Sequence, residues 1–286
     1  MPELPEVETI ARLLRQGSPE SQSLLGKRIT RVRLLWERTL VTPSPAEFEA
    51  RLTGQVFQDI TRRGKFLVFH LSGGDKLVFH LRMSGDMLLL PDEGQPAPHD
   101  RLLLSLHGAH RLAFNDARKF GRVWLVSDLQ TVTQHLGPEP LEPSFTPAEL
   151  FERLQSHRRQ IKPLLLDQGF IAGLGNIYAD EALHMAGIHP LRVSNSLDYP
   201  DAERLWQSIR QVLQEGIRLS GASIDWVYRG GEFQNQFRVY QRAGEACPVC
   251  LTPIRRIVVG QRGTHYCPVC QVSPDDRDPD LSRRTI

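Results

Sequence analysis

The second and third residues of the chain could together do covalent chemistry on a sugar. If Met1 is removed, as a small second residue normally permits, Pro2 becomes a free secondary amine. An α-amino group has a reference pKa of roughly 7.7–8.0, so part of it is unprotonated near neutral pH. Such an amine can attack an anomeric carbon and form an iminium intermediate, and the Glu3 carboxylate could move the protons. The same residues are also typical of an ordinary helix N-terminus.

The four cysteines are confined to two CxxC pairs separated by sixteen residues, Cys247 with Cys250 and Cys267 with Cys270. This spacing suits two knuckles that hold one tetrahedral Zn²⁺ through four thiolates. All four ligand positions would be filled, so this zinc would build a domain and leave no position for a catalytic water. Two redox pairs or disulfides are the alternative.

Three further segments could contact nucleic acid. Residues 173–178 place a glycine-rich turn before a predicted helix, where backbone N–H groups and the Asn176 amide can hold a phosphate. Residues 115–121 carry cations and Phe120 between two predicted strands, which suits a wedge into a base stack. Residues 62–65, Arg-Arg-Gly-Lys, could form a phosphate-binding edge. Purely structural interpretations remain open: a helix–turn connection, a basic turn whose Phe120 packs on the core, and a solvated run of charges.

The elements that must position these residues differ between the two halves of the chain. A first helix is predicted over residues 3–14 and a short one after the capping box that begins at Ser44. Strands are predicted at 29–35, 56–61, 66–71, 77–81, 87–90, 101–106, 111–114 and 122–126. After a proline-rich linker near residues 136–140, the pattern becomes helical, with helices beginning at Thr146, Ile161, Ile177 and Pro200. Residues 254–259 and 262–266 can form a hairpin between the two CxxC pairs. The first half should therefore be a two-layer β-sandwich or a related β-fold, and the second half helical.

The bulk composition sets limits without indicating an activity. With 286 residues, 40% of them apolar and 24% charged, the chain is expected to be a soluble globular protein of at least two domains. A formal net charge of +2 is too small to indicate a nucleic-acid partner, so any such binding must come from local placement of Arg and Lys. No run approaches the ~20 apolar residues of a membrane span, and the N-terminus has acids where a signal peptide has bases. A cytoplasmic location is expected.

Taken together, the motifs resemble those of bacterial formamidopyrimidine-DNA glycosylase. The resemblance rests on Pro-Glu-Leu-Pro-Glu-Val-Glu at the start, Arg-Arg-Gly-Lys, His-Leu-Arg-Met-Ser-Gly, Asn-Asp-Ala-Arg-Lys-Phe-Gly, Gly-Leu-Gly-Asn-Ile-Tyr and the paired CxxC, in the family's order. It covers residues 1–271. It implies an α+β, multidomain protein: a β-sandwich with flanking helices (1–135), a helix–two-turn–helix domain (136–235) and a zinc-finger β-hairpin with four cysteine ligands (236–271). The tail at 272–286 is expected to be disordered.

The resemblance also implies a role for each matching residue. Pro2 would be the Schiff-base nucleophile, Glu3 the general acid and base, and Lys65 a lysine near the phosphates and the catalytic pocket. Arg262 would clamp a phosphate and donate a proton in the second elimination. The remaining expected DNA contacts are Met83, Arg118 and Phe120 in the gap left by the extruded nucleotide, Asn176 on a flanking phosphate, and His99 and Arg158 on the backbone. Glu6 would support the N-terminal helix, and residues 221–230 match a base-capping segment only approximately.

The implied function is a bifunctional DNA glycosylase and AP lyase that removes oxidised purines and then cuts the strand by β,δ-elimination. One structural zinc is the expected cofactor, damaged double-stranded DNA the expected partner, and a monomer associated with the nucleoid the expected state. No nucleotide cofactor or membrane is expected. Two alternatives remain. One is an endonuclease VIII-type enzyme that acts on oxidised pyrimidines, although Leu4 and the set Met83, Arg118 and Phe120 favour the purine-specific branch. The other is a non-catalytic zinc protein that binds DNA.

Overall fold

The structure is a computed structural model that describes residues 1–18, 22–223 and 230–272. As far as these residues are concerned, the chain forms two compact units. The first is built from Met1–His135 with Ser220–Gly231, and the second from Leu136–Leu219 with Glu232–Ile286. Within the described ranges, no helix combines the length and apolar character needed to cross a membrane.

The first unit contains two sheets and three helices. Its helices are α1 (Leu4–Gln16), α2 (Pro45–Leu52) and α3 (Gln130–Thr133). Its strands are β1 (Ile29–Leu34), β2 (Leu40–Thr42), β3 (Phe57–Arg63), β4 (Phe66–Leu71), β5 (Lys76–His80), β6 (Gly85–Pro91), β7 (Asp100–Leu106), β8 (His110–Asp116) and β9 (Arg122–Val126). One sheet has the order β1-β7-β8-β6 and the other β2-β9-β5-β4-β3, antiparallel except for the β2–β9 pair.

The two sheets share one apolar core, which makes this unit a sandwich. Alternate residues of β7 (Leu102, Leu104 and Leu106) and of β4 (Leu67, Phe69 and Leu71) belong to the same buried cluster, together with the apolar face of α1. Alternation of this kind is expected where one face of each sheet meets the core. The other face of β4 is also covered, because Phe66 packs on Trp124 and on His135 beyond α3.

The second unit is helical up to the cysteine segment. Its elements are α4 (Pro147–Gln155), α5 (Ile161–Leu165), α6 (Asn176–Ala186), α7 (Tyr199–Arg218), β10 (Arg255–Val259) and β11 (Arg262–Tyr266). Helices α4 and α6 both pack against α7. The segment that leads to the cysteines is tied to α6 through the buried Glu181 carboxylate, which accepts the backbone N–H groups of residues 238–240 at 2.8, 3.0 and 2.8 Å.

The predicted architecture is confirmed, with corrections at the ends of elements. Strand β8 continues through Asn115 and Asp116, which were expected to lie in a loop, because Asp116 pairs with Gly85 of β6. The short β2 and α3 were not predicted, since neither is long enough to show a period. The base-capping match at 221–230 includes residues 224–229, and the tail expected to be disordered at 272–286 includes residues 273–286. Both of these stretches lie outside the described residues.

Candidate functional site

The N-terminus is held by a buried carboxylate of its own helix. Glu6 Oε2 accepts the backbone N–H of Glu3 at 2.7 Å, which satisfies one of the donors left open at the start of α1. The other oxygen of Glu6 accepts the N–H of Ala222 at 2.8 Å. A side chain at Gly221 would collide with Glu6, since a Cβ there would lie 2.7 Å from Oε1. Glu6 therefore fixes the backbone beside Pro2 and Glu3, both of which are buried.

The same end of α1 is tied to the strand that leads to Lys65. Arg62 of β3 donates from Nε to Glu8 Oε2 at 3.2 Å, and its side chain is largely buried. Lys65 follows in the two-residue turn Gly64–Lys65, where Gly64 has a φ of +57° and Arg63 pairs with Phe66. Lys65 is itself buried, so the fold keeps an ammonium group at this turn away from bulk water.

His80 is a buried neighbour of Lys65 that the sequence did not single out. Its Nδ1 accepts the N–H of Arg82 at 3.1 Å, and its ring meets Phe66 edge-on at 4.7 Å. Burial, together with the positive charges of Arg82 and Lys65, lowers the pKa of His80 to about 3. His80 is therefore neutral at physiological pH and adds no further charge beside Lys65.

The buried carboxylate of Asp116 is hydrogen-bonded to two turns. Its side chain accepts hydrogen bonds from Ser84 Oγ, from Arg118 N at 3.2 Å and from Gly121 N at 2.7 Å. Ser84 follows Met83 in the turn between β5 and β6, whereas Arg118 and Gly121 belong to the loop between β8 and β9. One carboxylate thus brings Met83 and the basic loop together.

The loop presents its cationic and aromatic side chains outward. Phe120 is 48% exposed, and the Arg118 guanidinium carbon lies 5.1 Å from the centre of its ring. Phe120 therefore does not pack on the core, which removes the structural alternative for this residue. Lys119 has a φ of +61° and places Nζ 4.2 Å from the centre of the Trp36 ring. Exposed His99, with a φ of +76°, adjoins this loop because its carbonyl accepts the Asp116 N–H at 2.9 Å.

In the second unit, Asn176 and the Arg262 hairpin are joined directly. Asn176 is the first residue of α6 and donates from Nδ2 to the carbonyl of Gly263 at 3.1 Å. Arg262 is exposed and begins β11 after the tight turn Gly260–Gln261, whose two φ angles are positive as a type I′ hairpin requires. Among the described residues, the buried Oδ1 of Asn176 has no hydrogen-bond partner.

A fully buried ion pair lies under this junction. Lys162 of α5 has no exposed side-chain surface, and its Nζ donates to Asp180 Oδ1 at 2.5 Å and to the Gly263 carbonyl at 3.1 Å. The other oxygen of Asp180 accepts the backbone N–H of His265 at 2.9 Å. The pair therefore anchors β11 to α5 and α6 at Gly263 and at His265, and so fixes the residue next to Arg262.

The four cysteines fit a tetrahedral metal. Their four Sγ atoms lie within 4.8 Å of one another. Sγ of Cys247 is 3.8 Å from that of Cys270, and Sγ of Cys250 is 3.4 Å from that of Cys267. Four ligands about 2.3 Å from one zinc are roughly 3.8 Å apart, whereas a disulfide would need about 2 Å. All four thiols are free, so the disulfide alternative is excluded and the set suits one structural Zn²⁺.

The structure thus groups the expected site residues into three sets. Pro2 and Glu3 lie at the start of α1, to which the strand that leads to Lys65 is tied through Arg62 and Glu8. Met83, Arg118, Phe120 and His99 lie around Asp116, and Asn176 adjoins the Arg262 hairpin. Arg158 is exposed after α4, and within the described ranges no hydrogen bond or ion pair joins it to Asn176 or Arg262. Sequence reasoning missed the buried groups that hold these sets: Ser84, Asp116, Lys162 and Asp180. Two of them could have been found from their position in the sequence next to an expected site residue. Ser84 directly follows Met83, and Asp180 lies one helical turn after Asn176.

Comparison with known proteins identifies the family. Residues 1–123 match the formamidopyrimidine-DNA glycosylase N-terminal domain, residues 136–227 match the H2TH domain of the same enzyme, and residues 244–272 match the zinc finger found in FPG and IleRS. The formamidopyrimidine-DNA glycosylase of Chloroflexus aurantiacus is 48% identical over 279 residues, which cover 96% of this chain and 98% of the relative. The chain belongs to the formamidopyrimidine-DNA glycosylase family.

Further relatives of the family agree with this assignment. The formamidopyrimidine-DNA glycosylase of Symbiobacterium thermophilum is 45% identical, with 96% of this chain and 90% of the relative covered. The crystal structure of Lactococcus lactis FPG with a Fapy-dG-containing DNA matches with a TM-score of 0.87 and 37% identity, over 95% of this chain and 100% of that one. A MutM structure with DNA containing carbocyclic 8-oxo-G matches to the same extent. The expected helix–two-turn–helix and zinc-finger domains are thereby confirmed.

Proposed function

We propose that this protein is a bifunctional DNA glycosylase and AP lyase that removes oxidised purines, including formamidopyrimidines and 8-oxoguanine, from double-stranded DNA. The observation that carries the proposal is the match over nearly the whole chain to an FPG bound to Fapy-dG DNA. It favours oxidised purines over oxidised pyrimidines. A protein that only bound DNA would need neither an N-terminal amine nor the adjacent Glu3.

The proposed chemistry begins at Pro2. After Met1 is removed, the lone pair of the Pro2 nitrogen attacks C1′ of the damaged nucleotide, and the C1′–N bond to the base breaks, with the electron pair leaving on the base. The proton of the Pro2 N–H passes to the departing base. Glu3 then protonates O4′ as the C1′–O4′ bond breaks and the ring opens, which leaves an iminium between Pro2 and C1′. Glu6 acts indirectly, because it holds the backbone N–H of Glu3 at 2.7 Å.

The iminium then makes strand cleavage possible. It acidifies the C2′ protons, so loss of one of them expels the 3′ phosphate. A second elimination expels the 5′ phosphate, with Arg262 as the proposed proton donor. Hydrolysis finally frees Pro2. Zinc, held by Cys247, Cys250, Cys267 and Cys270, stabilises the hairpin that carries Arg262 and has no open position for substrate.

The remaining site residues would hold DNA with the nucleotide extruded. Extrusion costs a few kcal/mol, because a base must leave its stack. We assign Met83, Arg118 and Phe120 to the vacated space, since they project from turns fixed by buried Asp116. We assign Asn176, Lys65, His99 and Arg158 to phosphates. On this proposal residues 1–135 carry the nucleophile and its acid–base group, residues 136–235 grip the backbone, and residues 236–271 grip the backbone and supply Arg262. The enzyme works as a monomer on chromosomal DNA at the cytoplasmic nucleoid.

Borohydride trapping tests the proposal. Zinc-loaded enzyme is incubated with an 8-oxoguanine:cytosine duplex and borohydride, which reduces the iminium to a stable amine, and the cross-linked peptide is mapped. We expect an adduct on Pro2, an intact mass that lacks Met1, and a loss of base excision of roughly 100- to 10,000-fold in Glu3→Gln. The exposed Glu49→Gln variant is the matched control.

Three results would contradict the proposal. An adduct on Lys65 instead of Pro2 would replace the nucleophile. Trapping with a duplex that contains an oxidised pyrimidine, but not with the purine lesion, would assign the enzyme to the pyrimidine branch. Duplex binding without any adduct would leave only a DNA-binding protein.

A further inference from the structure

A basic cavity lies on the outer face of the first sheet, on the side away from the sandwich core. Arg31 of β1, Ser105 of β7 and Arg111 of β8 are in register across three neighbouring strands. Residues directly opposite in a sheet share a face, so these side chains form one row on the outer surface. Arg33, two residues along β1, lies on the same face. The cavity above this row has a volume of about 330 Å³.

The charge of the cavity is not compensated. It is lined by Arg31, Arg33 and Arg111 but by only one acid, Asp92. Within the part of the chain that the structure describes, no carboxylate forms an ion pair with any of the three arginines. Arg33 also borders a neighbouring cavity that contains Glu37 and Glu49, again without an ion pair, so Arg31 and Arg111 carry most of the unbalanced charge.

Arg111 is the observation that points to a ligand. Only 7% of this residue is exposed, and a guanidinium has five N–H donors. Its contacts are long: Nη1 to the Gly94 carbonyl at 3.5 Å and Nη2 to the Gln95 carbonyl at 3.3 Å. Among the described residues, Nε has no partner. Burying a charged group with so few good hydrogen bonds is costly unless an anion completes the site.

We infer that this cavity binds a phosphate group. A guanidinium fork matches phosphate oxygens with paired donors, and Arg31 with Arg111 can approach one anion from two sides of Ser105. A volume of about 330 Å³ lies at the lower end of the ~300–1,000 Å³ range of ligand pockets. It can hold a phosphate with part of an attached sugar, and either a DNA backbone or a free phosphorylated ligand can supply that group.

The first experiment tests the site itself. Full-length, zinc-loaded protein is titrated with inorganic phosphate at constant ionic strength, and binding is followed by ³¹P NMR line width. We expect saturable binding that the double variant Arg31→Gln/Arg33→Gln weakens at least tenfold. The control Lys27→Gln/Arg28→Gln changes the charge equally at the same end of β1, outside the cavity, and should bind as the wild type does. These surface positions are preferred because a substitution at buried Arg111 would also perturb folding.

A second experiment identifies the source of the phosphate. Binding of an undamaged 30-base-pair duplex is measured as a function of salt concentration. If the cavity holds DNA backbone, Arg31→Gln/Arg33→Gln lowers the slope of log K against log[salt] by about 1–2 relative to the control. If phosphate binding is lost but the slope is unchanged, the ligand is a free phosphorylated molecule.

The inference is overturned if the wild type shows no saturable phosphate binding, or if Arg31→Gln/Arg33→Gln binds phosphate as tightly as the Lys27→Gln/Arg28→Gln control. The phosphate titration needs no lesion and no catalytic step. Failure of the proposed glycosylase reaction would therefore leave this result unaffected, and the reverse also holds.

Discussion

Two regions that we propose contact DNA use buried carboxylates in different ways. Asp116 holds the Met83 turn and the Arg118–Phe120 loop by accepting hydrogen bonds from three neutral donors, one hydroxyl and two backbone N–H groups. Asp180 holds the Arg262 hairpin through an ion pair with the fully buried Lys162. The first arrangement fixes two flexible turns against each other. The second fixes a metal-dependent hairpin against a helix.

This difference has an energetic consequence. Removing the Asp116 carboxylate would leave neutral donors without an acceptor. Removing one partner of the buried ion pair would leave an unpaired charge in a low-dielectric environment. Substitutions in the hairpin region should therefore lower the free energy of unfolding more than substitutions around Asp116. Perturbations of the two regions should therefore differ in size.

Zinc removal should have the largest effect, and it should disturb the Arg262 hairpin but not the turns around Asp116. Structural zinc contributes roughly 10–16 kcal/mol in small zinc fingers, so chelation should unfold residues 247–270 and release the Gly263 carbonyl, next to Arg262, from Asn176. We expect tight duplex binding, measured by fluorescence anisotropy, to be lost and to return when zinc is restored. A metal-free enzyme with unchanged affinity would show that the hairpin holds its shape without the metal.

Breaking the buried ion pair should come next. Asp180→Asn leaves the Lys162 ammonium facing a neutral amide, which should lower the free energy of unfolding by about 3–5 kcal/mol. The double variant Asp180→Leu/Lys162→Met removes both charges and should recover most of that stability in chemical denaturation. It should still bind DNA weakly, because Gly263 loses its contact with Lys162. Wild-type stability in Asp180→Asn would show that the pair is not the anchor.

The Asp116 region should respond less. In Asp116→Asn one oxygen is replaced by an NH₂ group, so the N–H of Gly121 or of Arg118 loses its acceptor at a cost of roughly 1–3 kcal/mol. Because the loop that carries Phe120 is loosened, we expect slower base excision from duplex DNA but unchanged cleavage of a single-stranded abasic site. An equal loss on both substrates would mean that Asp116 supports the catalytic centre rather than the wedge. Ser84→Ala removes one donor from the same carboxylate and should have a smaller effect.

The smallest effect concerns His80 and depends on pH. The pKa of His80 is about 3 in the fold against about 6.5 in an unfolded chain, so between these values the unfolded state binds more protons. Stability should therefore fall as the pH drops below 6.5, by about 1.4 kcal/mol at pH 5.5. We expect His80→Gln to remove this part of the pH dependence of unfolding between pH 7.5 and 5.5. The control His107→Gln, at an exposed histidine, should keep this pH dependence. Equal behaviour of the two variants would show that His80 is not its source.

Much of the fold follows from local pattern. The strand pairs around residues 66–80, the helix that begins at Thr146, the strand Arg122–Val126 and the hairpin strand Arg262–Tyr266 were predicted because alternation, capping residues and CxxC spacing act over a few residues. The zinc ligands were predicted for the same reason. The short β2 and α3 were not, since elements of three or four residues have no period to detect.

Residue type and spacing were also enough to identify the chemically capable side chains: Pro2 and Glu3 at the start, the basic loop at 115–121 and the cysteines at the end. Tertiary structure alone decided what holds them. Asp116 lies beside Ser84, and Lys162 beside Asp180 and Gly263, only because non-local strand and helix packing brings them together. A buried carboxylate or ammonium looks like any surface charge in a sequence, since burial depends on neighbours that are distant along the chain. The unbalanced arginines around Ser105 became visible for the same reason, once three strands had been placed in register.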